Sequence, residues 1–368
     1  MPCFQWGNPE LPVLRESKSL PLDVGVRVRF QRGRRTDRQL VFFFMRRLQS
    51  IELRGMRALM QRTLRIGSRG SQLALWQSRW VQTALARLWP SVTFEVIVIK
   101  TTGDKIQDVP LSRVGGKGLF VKEIEEALLD GRIDLAVHSM KDMPSELPSG
   151  LTIGAIPERE NPLDILAAGP CRSLAALPQG ARVGTSSLRR TAQLLQLRPD
   201  LRIAPLRGNI DTRLRKLAAN DLDAVVLAAA GVLRLGLEDR ISAYLPPEQM
   251  LPAAGQGALC IETRIDDPLV GPLAASLEHA DTRTAVTAER AFLARLEGGC
   301  QVPIAAHAEV DGKRVYLTGL VADPNGQRII KSTRTGIRTD AVHMGRDLAE
   351  ALLDQGAGEI LERVRHNA

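Results

Sequence analysis

The sequence predicts an α/β protein: two similar α/β domains, then a smaller α+β domain with an antiparallel three-stranded sheet. Three observations lead there. From Leu64 onward, short β-like runs alternate with amphipathic helical stretches. Two segments, Arg65-Ile-Gly-Ser-Arg-Gly-Ser-Gln72 and Arg182-Val-Gly-Thr-Ser-Ser-Leu-Arg189, repeat one pattern of strand, glycine, hydroxyl residue and helix. After Asp266-Asp267-Pro268 the alternation gives way to a helix followed by three β-like runs.

Thr93 to Ile99 (TFEVIVI) alternates as a strand does, and Asp134 to Val137 and Ala224 to Leu227 are compact apolar strands. Phe120, Ile124, Ala127 and Leu128 share one face of a helix that stops at Gly131. Leu201 to Leu206 is strand-like, and Arg207-Gly208-Asn209 then opens a helix. In the last third, a helix over Thr282 to Leu296 leads through Gly-Gly-Cys to the runs Ile304 to Val310, Val315 to Val321 and Arg328 to Thr335. Asp311-Gly312 and Pro324-Asn325-Gly326 suit the intervening hairpins, and a final helical region starts at Asp340.

With 368 residues, 44% hydrophobic and 25% charged, the chain can build two or three cores. Its longest uninterrupted apolar stretch, Ala224 to Leu233, is about half of what a membrane-spanning helix needs. Cys3, Cys171, Cys260 and Cys300 are far apart, with no C-x-x-C, so neither a metal site nor a disulfide framework is expected. A reducing, cytoplasmic setting fits. Of the net charge of +9, residues 1 to 63 carry +8, which leaves the body almost neutral. This basic leader reads as a targeting segment, a nucleic-acid arm, or sequence upstream of a start at Met45, Met56 or Met60. Few serines and five acids speak against a transit peptide and favour the last reading.

The chemistry concentrates where strands end. Asp134-Leu-Ala-Val-His-Ser-Met-Lys-Asp142 delivers Ser139, Lys141 and Asp142 to a strand's carboxyl end, the place where open α/β sheets bind ligands. Asp142 beside Lys141 reads either as a solvated surface pair or as a carboxylate that stabilises positive charge during a reaction. His138, on the other face, reads as structural. The repeated helix starts aim free N–H groups at a common place, with Ser71, Thr185 and Ser187 as hydroxyl donors. The plain alternative is two ordinary N-caps. Arg189, Arg190, Arg207, Arg213 and Arg215, then Arg234, cluster in the second α/β segment, and guanidinium forks suit a ligand with several acid groups. Arg213 and Arg215 also fit a solvated helix face. Gly115-Gly-Lys-Gly-Leu-Phe120 is no phosphate loop, since Lys117 is followed by Gly118. Thr101 to Lys117 reads as a long loop of the kind that covers active sites. Cys300, after two glycines in a loop, reads either as an accessible thiol without a neighbouring base or as the more usual buried, inert cysteine.

These motifs together resemble the porphobilinogen deaminase (hydroxymethylbilane synthase) family. The resemblance runs through Arg69-Gly-Ser-Gln-Leu-Ala-Leu-Trp-Gln77, Val114 to Phe120, His138-Ser-Met-Lys-Asp-Met-Pro144, Gly184-Thr-Ser-Ser-Leu-Arg-Arg190, Leu206 to Arg213, Ala253-Ala-Gly-Gln-Gly257 and Glu289 to Ile304. Residues 1 to 60 lie outside it. Beyond a basic N-terminal extension over 1–62, it implies a first α/β domain over 63–157 plus 256–276 and a second over 158–255, both of the type II periplasmic-binding-protein kind. A cofactor-attachment domain follows over 277–368.

The resemblance also implies a transferase that condenses four porphobilinogen molecules head to tail, losing ammonia each time. Its dipyrromethane cofactor is held by a thioether to Cys300. Asp142 then becomes the catalytic carboxylate. Lys141, Ser139, Thr185, Ser187, Arg189, Arg190 and Gly208 match cofactor-binding positions. Arg69, Ser71, Gln77, Lys117, Arg207, Arg213 and Gln256 match substrate-binding ones, with Arg234 a weaker match. Neither a nucleic acid nor a membrane is an expected partner, and a monomer is the family expectation.

Two other readings remain at this stage. A non-enzymatic binder of small polyacids explains the arginines but not Cys300 or a third domain. A nucleic-acid binder rests on the leader and fits poorly with 4% aromatic residues.

Overall fold

The computed structural model describes residues 62–105, 121–169, 171–219, 222–297 and 302–366. The basic leader up to residue 61, Arg113, Lys117, Phe120 and Cys300 lie outside the described residues.

Two five-stranded sheets share one topology. In the first, β1 (Thr63–Ser68), β2 (Thr93–Val98) and β3 (Leu135–Ser139) are parallel, joined by α1 (Gln72–Leu88) and, before β3, α2 (Lys122–Leu129). β4 (Leu151–Ala155) is the edge strand. The order is β2-β1-β3-β10-β4, with β10 (Leu259–Arg264) antiparallel to both its neighbours. The second sheet has the order β7-β6-β8-β5-β9, formed by β5 (Asp164–Ala167), β6 (Arg182–Gly184), β7 (Arg202–Ala204), β8 (Ala224–Ala228) and β9 (Ala243–Leu245). Here too the first three positions are parallel, and the inserted strand, β5, is antiparallel to β8 and β9. The duplicated motif therefore opens the equivalent strand of each sheet. Each sheet also receives its antiparallel strand from the chain as it arrives from the other, so two connections, around residues 156–163 and 246–258, cross between them.

Local sequence explains the elements. On α1, Ala74, Gln77, Ser78, Val81 and Leu85 recur at helical spacing and are buried, and Ser71 caps the helix. On α2, Ile124, Ala127 and Leu128 are fully buried, and Gly131 follows in the left-handed region at φ +67°. The strand expected over 201–206 is only Arg202–Ala204, because Pro205 has no N–H to continue the ladder. α3 (Leu188–Leu197), α4 (Ile210–Ala218) and α5 (Ala229–Arg234) flank the second sheet. No helix among the described residues is long and apolar enough to cross a membrane.

After α6 (Val270–Ala275), α7 (Ala280–Arg295) leads to an antiparallel sheet of β11 (Ile304–Asp311), β12 (Arg314–Ala322) and β13 (Ile329–Ile337). Gly312 (φ +55°) and Gly326 (φ +71°) occupy its two turns. α8 (Ala341–Leu352) and α9 (Gly358–His366) complete the fold, and Phe292, Leu317 and Leu348 form part of a separate core there. Glu289 on α7 ties this unit to the crossing connections. It is fully buried and accepts hydrogen bonds from Arg159 (2.6 and 3.2 Å), the Gly255 amide (2.7 Å) and the Ala308 amide (2.8 Å).

Behind β3, the buried His138 ring meets Glu262 at 3.1 Å, in agreement with its structural reading. Glu125 on α2 is buried nearby. Desolvation, reinforced by the Glu262 charge and opposed by His138, pushes its carboxyl up to about 7 from an ordinary 4.5. A carboxyl raised on folding favours the native state below its ordinary value, and that advantage is lost as pH rises through about 7. Glu125→Gln should therefore flatten the decline in stability between pH 5 and 8 and raise stability at pH 8 by about 2 kcal/mol. Urea unfolding across that range checks it, and an unchanged slope would contradict it.

Candidate functional site

β1 passes through Arg69 and Gly70 to Ser71, whose Oγ accepts from the Ala74 amide (3.2 Å) at the start of α1. β3 ends at Ser139 and turns at once through a 3-10 turn, Met140–Asp142, which sets Lys141 and Asp142 at the strand's carboxyl end. Gln77 on α1 donates to Ser139 Oγ (3.0 Å). Arg69, Ser71, Gln77, Ser139 and Asp142 thus line one cavity of about 60 Å³.

The second sheet presents equivalent ends. Thr185 follows β6, and its Oγ1 accepts from the Ser187 amide (3.2 Å). Ser187 is the N-cap of α3 by position, but its hydroxyl makes no capping bond. Gly208 has φ +106°, and a Cβ there would lie 2.7 Å from the Thr212 methyl. Asn209 caps α4 by accepting from the Thr212 amide (2.9 Å), and Arg213 folds back to donate to the Gly208 carbonyl (2.8 Å). Arg215 is exposed, as its helix-face reading expects. Ser186, which sequence reading passed over, donates to the Leu206 carbonyl (3.0 Å) and accepts from the Leu206 amide (2.9 Å), joining the two loops.

The arginines divide into two groups. Arg189 and Arg190 are buried, and both hold the Asp164 carboxylate, Arg189 at 2.6 and 3.3 Å and Arg190 at 3.0 and 2.7 Å. They also donate to the carbonyls of Leu251 (2.8 Å) and Val226 (2.9 Å). Asp164 is fully buried; burial works to raise its pKa, but the two guanidinium charges outweigh it and hold the carboxyl well below the usual range. Gln256 donates to the same carboxylate (3.1 Å) and to the Pro162 carbonyl (2.7 Å).

Lys141, Arg207 and Arg213 form the other group, and none of them makes an ion pair among the described residues. Lys141 has only the Gln256 amide oxygen, at 3.4 Å. Asp142 likewise accepts no hydrogen bond there. Burial, helped by Arg190 and opposed by Asp142, lowers Lys141 to about 8. Burial and Arg190, again opposed by Asp142, lower Arg213 to about 10, with Arg207 adding to the effect. The Asp142 and Lys141 turn of the first sheet and three arginines of the second therefore feel one another's charge. The backbone keeps this arrangement close: Gly255 has φ +72°, and a Cβ there would lie 2.6 Å from Met140 Cγ. Arg234 is buried at the same seam, donating to the Gly257 carbonyl (2.7 Å) with its guanidinium 5.9 Å from the Trp76 ring centre.

Three cations and one carboxylate without ion pairs among the described residues, set at the carboxyl ends of two duplicated sheets, fit a ligand that carries several carboxylates. Residues 64–271 match the family described as porphobilinogen deaminase, dipyromethane cofactor binding domain, and residues 283–354 match the porphobilinogen deaminase C-terminal domain. The chain belongs to the porphobilinogen deaminase family. It is 57% identical over 301 residues to the porphobilinogen deaminase of Geobacter metallireducens, covering 82% of this chain and 94% of that one. It is 58% identical over 298 residues to that of Syntrophotalea carbinolica, covering 81% and 95%. The match to Nitratidesulfovibrio vulgaris is 57% over 304 residues, covering 81% and 96%.

Asp164 escaped sequence reading, although an acid opening the fully buried strand Asp164-Ile-Leu-Ala167 was a signal that cations must meet it. Asp164→Asn would leave two buried guanidinium groups without their counter-ion. It should cost about 3–5 kcal/mol of stability, measured by urea unfolding. A loss below 1 kcal/mol would show that the two arginines are held otherwise.

Proposed function

We propose that Asp142 is the catalytic carboxylate of a hydroxymethylbilane synthase and that Lys141, Arg207 and Arg213 hold the carboxylates of its substrate and cofactor. Family membership makes the chain a transferase of tetrapyrrole biosynthesis, which joins four porphobilinogen molecules head to tail with loss of ammonia. Membership also displaces the non-enzymatic acid binder. The observation that carries the residue assignment is that Asp142, Lys141, Arg207 and Arg213 make no ion pair among the described residues, beside arginines that Asp164 already neutralises.

The dipyrromethane cofactor, attached through a thioether to Cys300, supplies the primer on which the chain grows. The unpaired cations suit its carboxylates, and the 64–271 family match is to a cofactor-binding domain. Porphobilinogen carries an acetate and a propionate, so the chain's residues must hold more negative charge at each addition. Arg69, Lys117, Arg207 and Arg213 take substrate carboxylates, with Ser71, Gln77 and Gln256 as neutral partners. Ser139, Lys141, Thr185, Ser187 and Gly208 hold the cofactor. Arg189 and Arg190 serve it with the donors that Asp164 leaves free. Asp142, which accepts no hydrogen bond among the described residues, stabilises the positive charge that develops on the pyrrole as ammonia departs. The domains divide at 63–157 plus 256–276, 158–255 and 277–368, and the enzyme works as a cytoplasmic monomer.

Asp142→Asn should fold normally and lose at least 100-fold in kcat, since an amide supplies no negative charge. Circular dichroism and steady-state turnover of porphobilinogen check it, and near-normal turnover would remove Asp142 from the reaction. Cys300→Ser, purified from cells that make porphobilinogen, should lack the added mass of two linked pyrroles that the unsubstituted protein carries on the Cys300 peptide. The same mass on another peptide would relocate the attachment point.

A further inference from the structure

A second cavity lies away from the Asp142 site and shares no lining residue with it. Its volume is about 420 Å³, and it is bounded by the first sheet's β4 region, by α7 and by α8. Four arginines line it, Arg283, Arg290, Arg295 and Arg346, with no acidic residue among its walls. Two of them already have counter-ions: Arg283 pairs with Glu278 at 2.6 Å and Arg295 with Glu350 at 2.5 Å.

The other two do not. Arg290 is part-buried and uses one terminal nitrogen, on the carbonyls of Pro144 (2.7 Å) and Ser145 (3.1 Å). Its remaining N–H groups meet no acceptor among the described residues, and burial lowers its pKa. Arg346 on α8 is exposed and has no ion pair among the described residues. Between these cations the wall is apolar, formed by Ile153, Ile156, Val286 and Val342. A half-desolvated guanidinium without a counter-ion is costly to keep, and an anion is what relieves it. Water alone would satisfy the arginines but not the apolar wall beside them. A small organic acid satisfies both, its body against the aliphatic side chains and its charged group between Arg290 and Arg346.

We propose that this cavity is a binding site for a small organic acid, an apolar ring or chain bearing one carboxylate, sulfonate or phosphate group. The ligand's anion bridges Arg290 of α7 and Arg346 of α8. Because Arg290 also holds the carbonyls of Pro144 and Ser145, the bound acid is one side chain away from the segment that follows Asp142.

The test titrates the full-length protein, carrying its cofactor, with 1-anilinonaphthalene-8-sulfonate. A parallel titration uses N-phenyl-1-naphthylamine, which has the same rings and no charge. The sulfonate should bind at one saturable site, at least tenfold tighter than the neutral amine. Arg346→Glu should weaken it by tenfold or more, and Ala294→Trp, which fills the cavity from α7, should abolish it. Porphobilinogen turnover without the probe should stay within twofold of normal in both variants. Equal binding of the neutral amine, or sulfonate binding that persists in Arg346→Glu, would overturn the proposal. Should Ala294→Trp fail to fold, Arg346→Glu, at an exposed position, decides alone.

Discussion

A carboxylate that water does not reach sets the terms for this cleft. Asp164 is the first residue of the strand inserted antiparallel into the second sheet, and a charge so placed must be met by cations with good geometry. Two consecutive arginines from the start of α3 meet it, together with an amide from Gln256 on the returning connection. Lys141, at the end of the first sheet's third strand, reaches the other end of that Gln256 side chain. The Met140–Asp142 turn of one sheet, the return connection and the helix start of the other are therefore members of one polar chain.

Topology makes such a chain necessary. Because each sheet is completed by the strand that arrives from the other, both sheets place the carboxyl ends of their parallel strands beside two crossing connections. These connections run so close together that a side chain at Gly257 would strike the Glu160 carbonyl, and Glu160 donates its amide to the Gly257 carbonyl at 3.2 Å. Glu289 then fixes the third unit to the same place by accepting from Arg159 and Gly255 on one side and Ala308 on the other. Residues distant in sequence converge there because the crossings leave few other routes.

Much of this was legible in the sequence. The glycine-hydroxyl repeat located β1 with α1 and β6 with α3: a hydroxyl residue precedes each helix, and Ser71 caps α1 through its side chain whereas Ser187 only occupies the N-cap position of α3. The apolar run ending in Ser-Met-Lys-Asp placed Asp142 at a strand end, since the strand stops where the apolar run does. The roles of individual arginines were not legible. Arg189 and Arg190 read as ligand-facing, yet their main partner is an aspartate 25 and 26 residues earlier, which only tertiary packing brings to them. Arg213 read equally as a solvated helix residue, and what distinguishes it is the back-turn to the Gly208 carbonyl, which positive φ at that glycine permits. Glu289 lay inside a motif that resemblance picked out, but its partners come from three separate segments.

The two kinds of arginine suggest why the cleft tolerates so much positive charge. Cations neutralised inside the protein add rigidity and little net field, whereas those left unpaired at the strand ends raise the local potential that a polyanion meets. Were Arg189 and Arg190 unpaired as well, five cations would repel one another in a part-desolvated space; burial is the main cause of the lowered pKa values of Lys141 and Arg213, and repulsion from Arg190 adds to it even with Asp164 in place. Asp164 thus limits how much uncompensated charge the cleft itself must bear. On the proposed assignment, the cations that remain receive a ligand that grows by carboxylates, and each carboxylate that arrives relieves repulsion already present instead of breaking an existing ion pair.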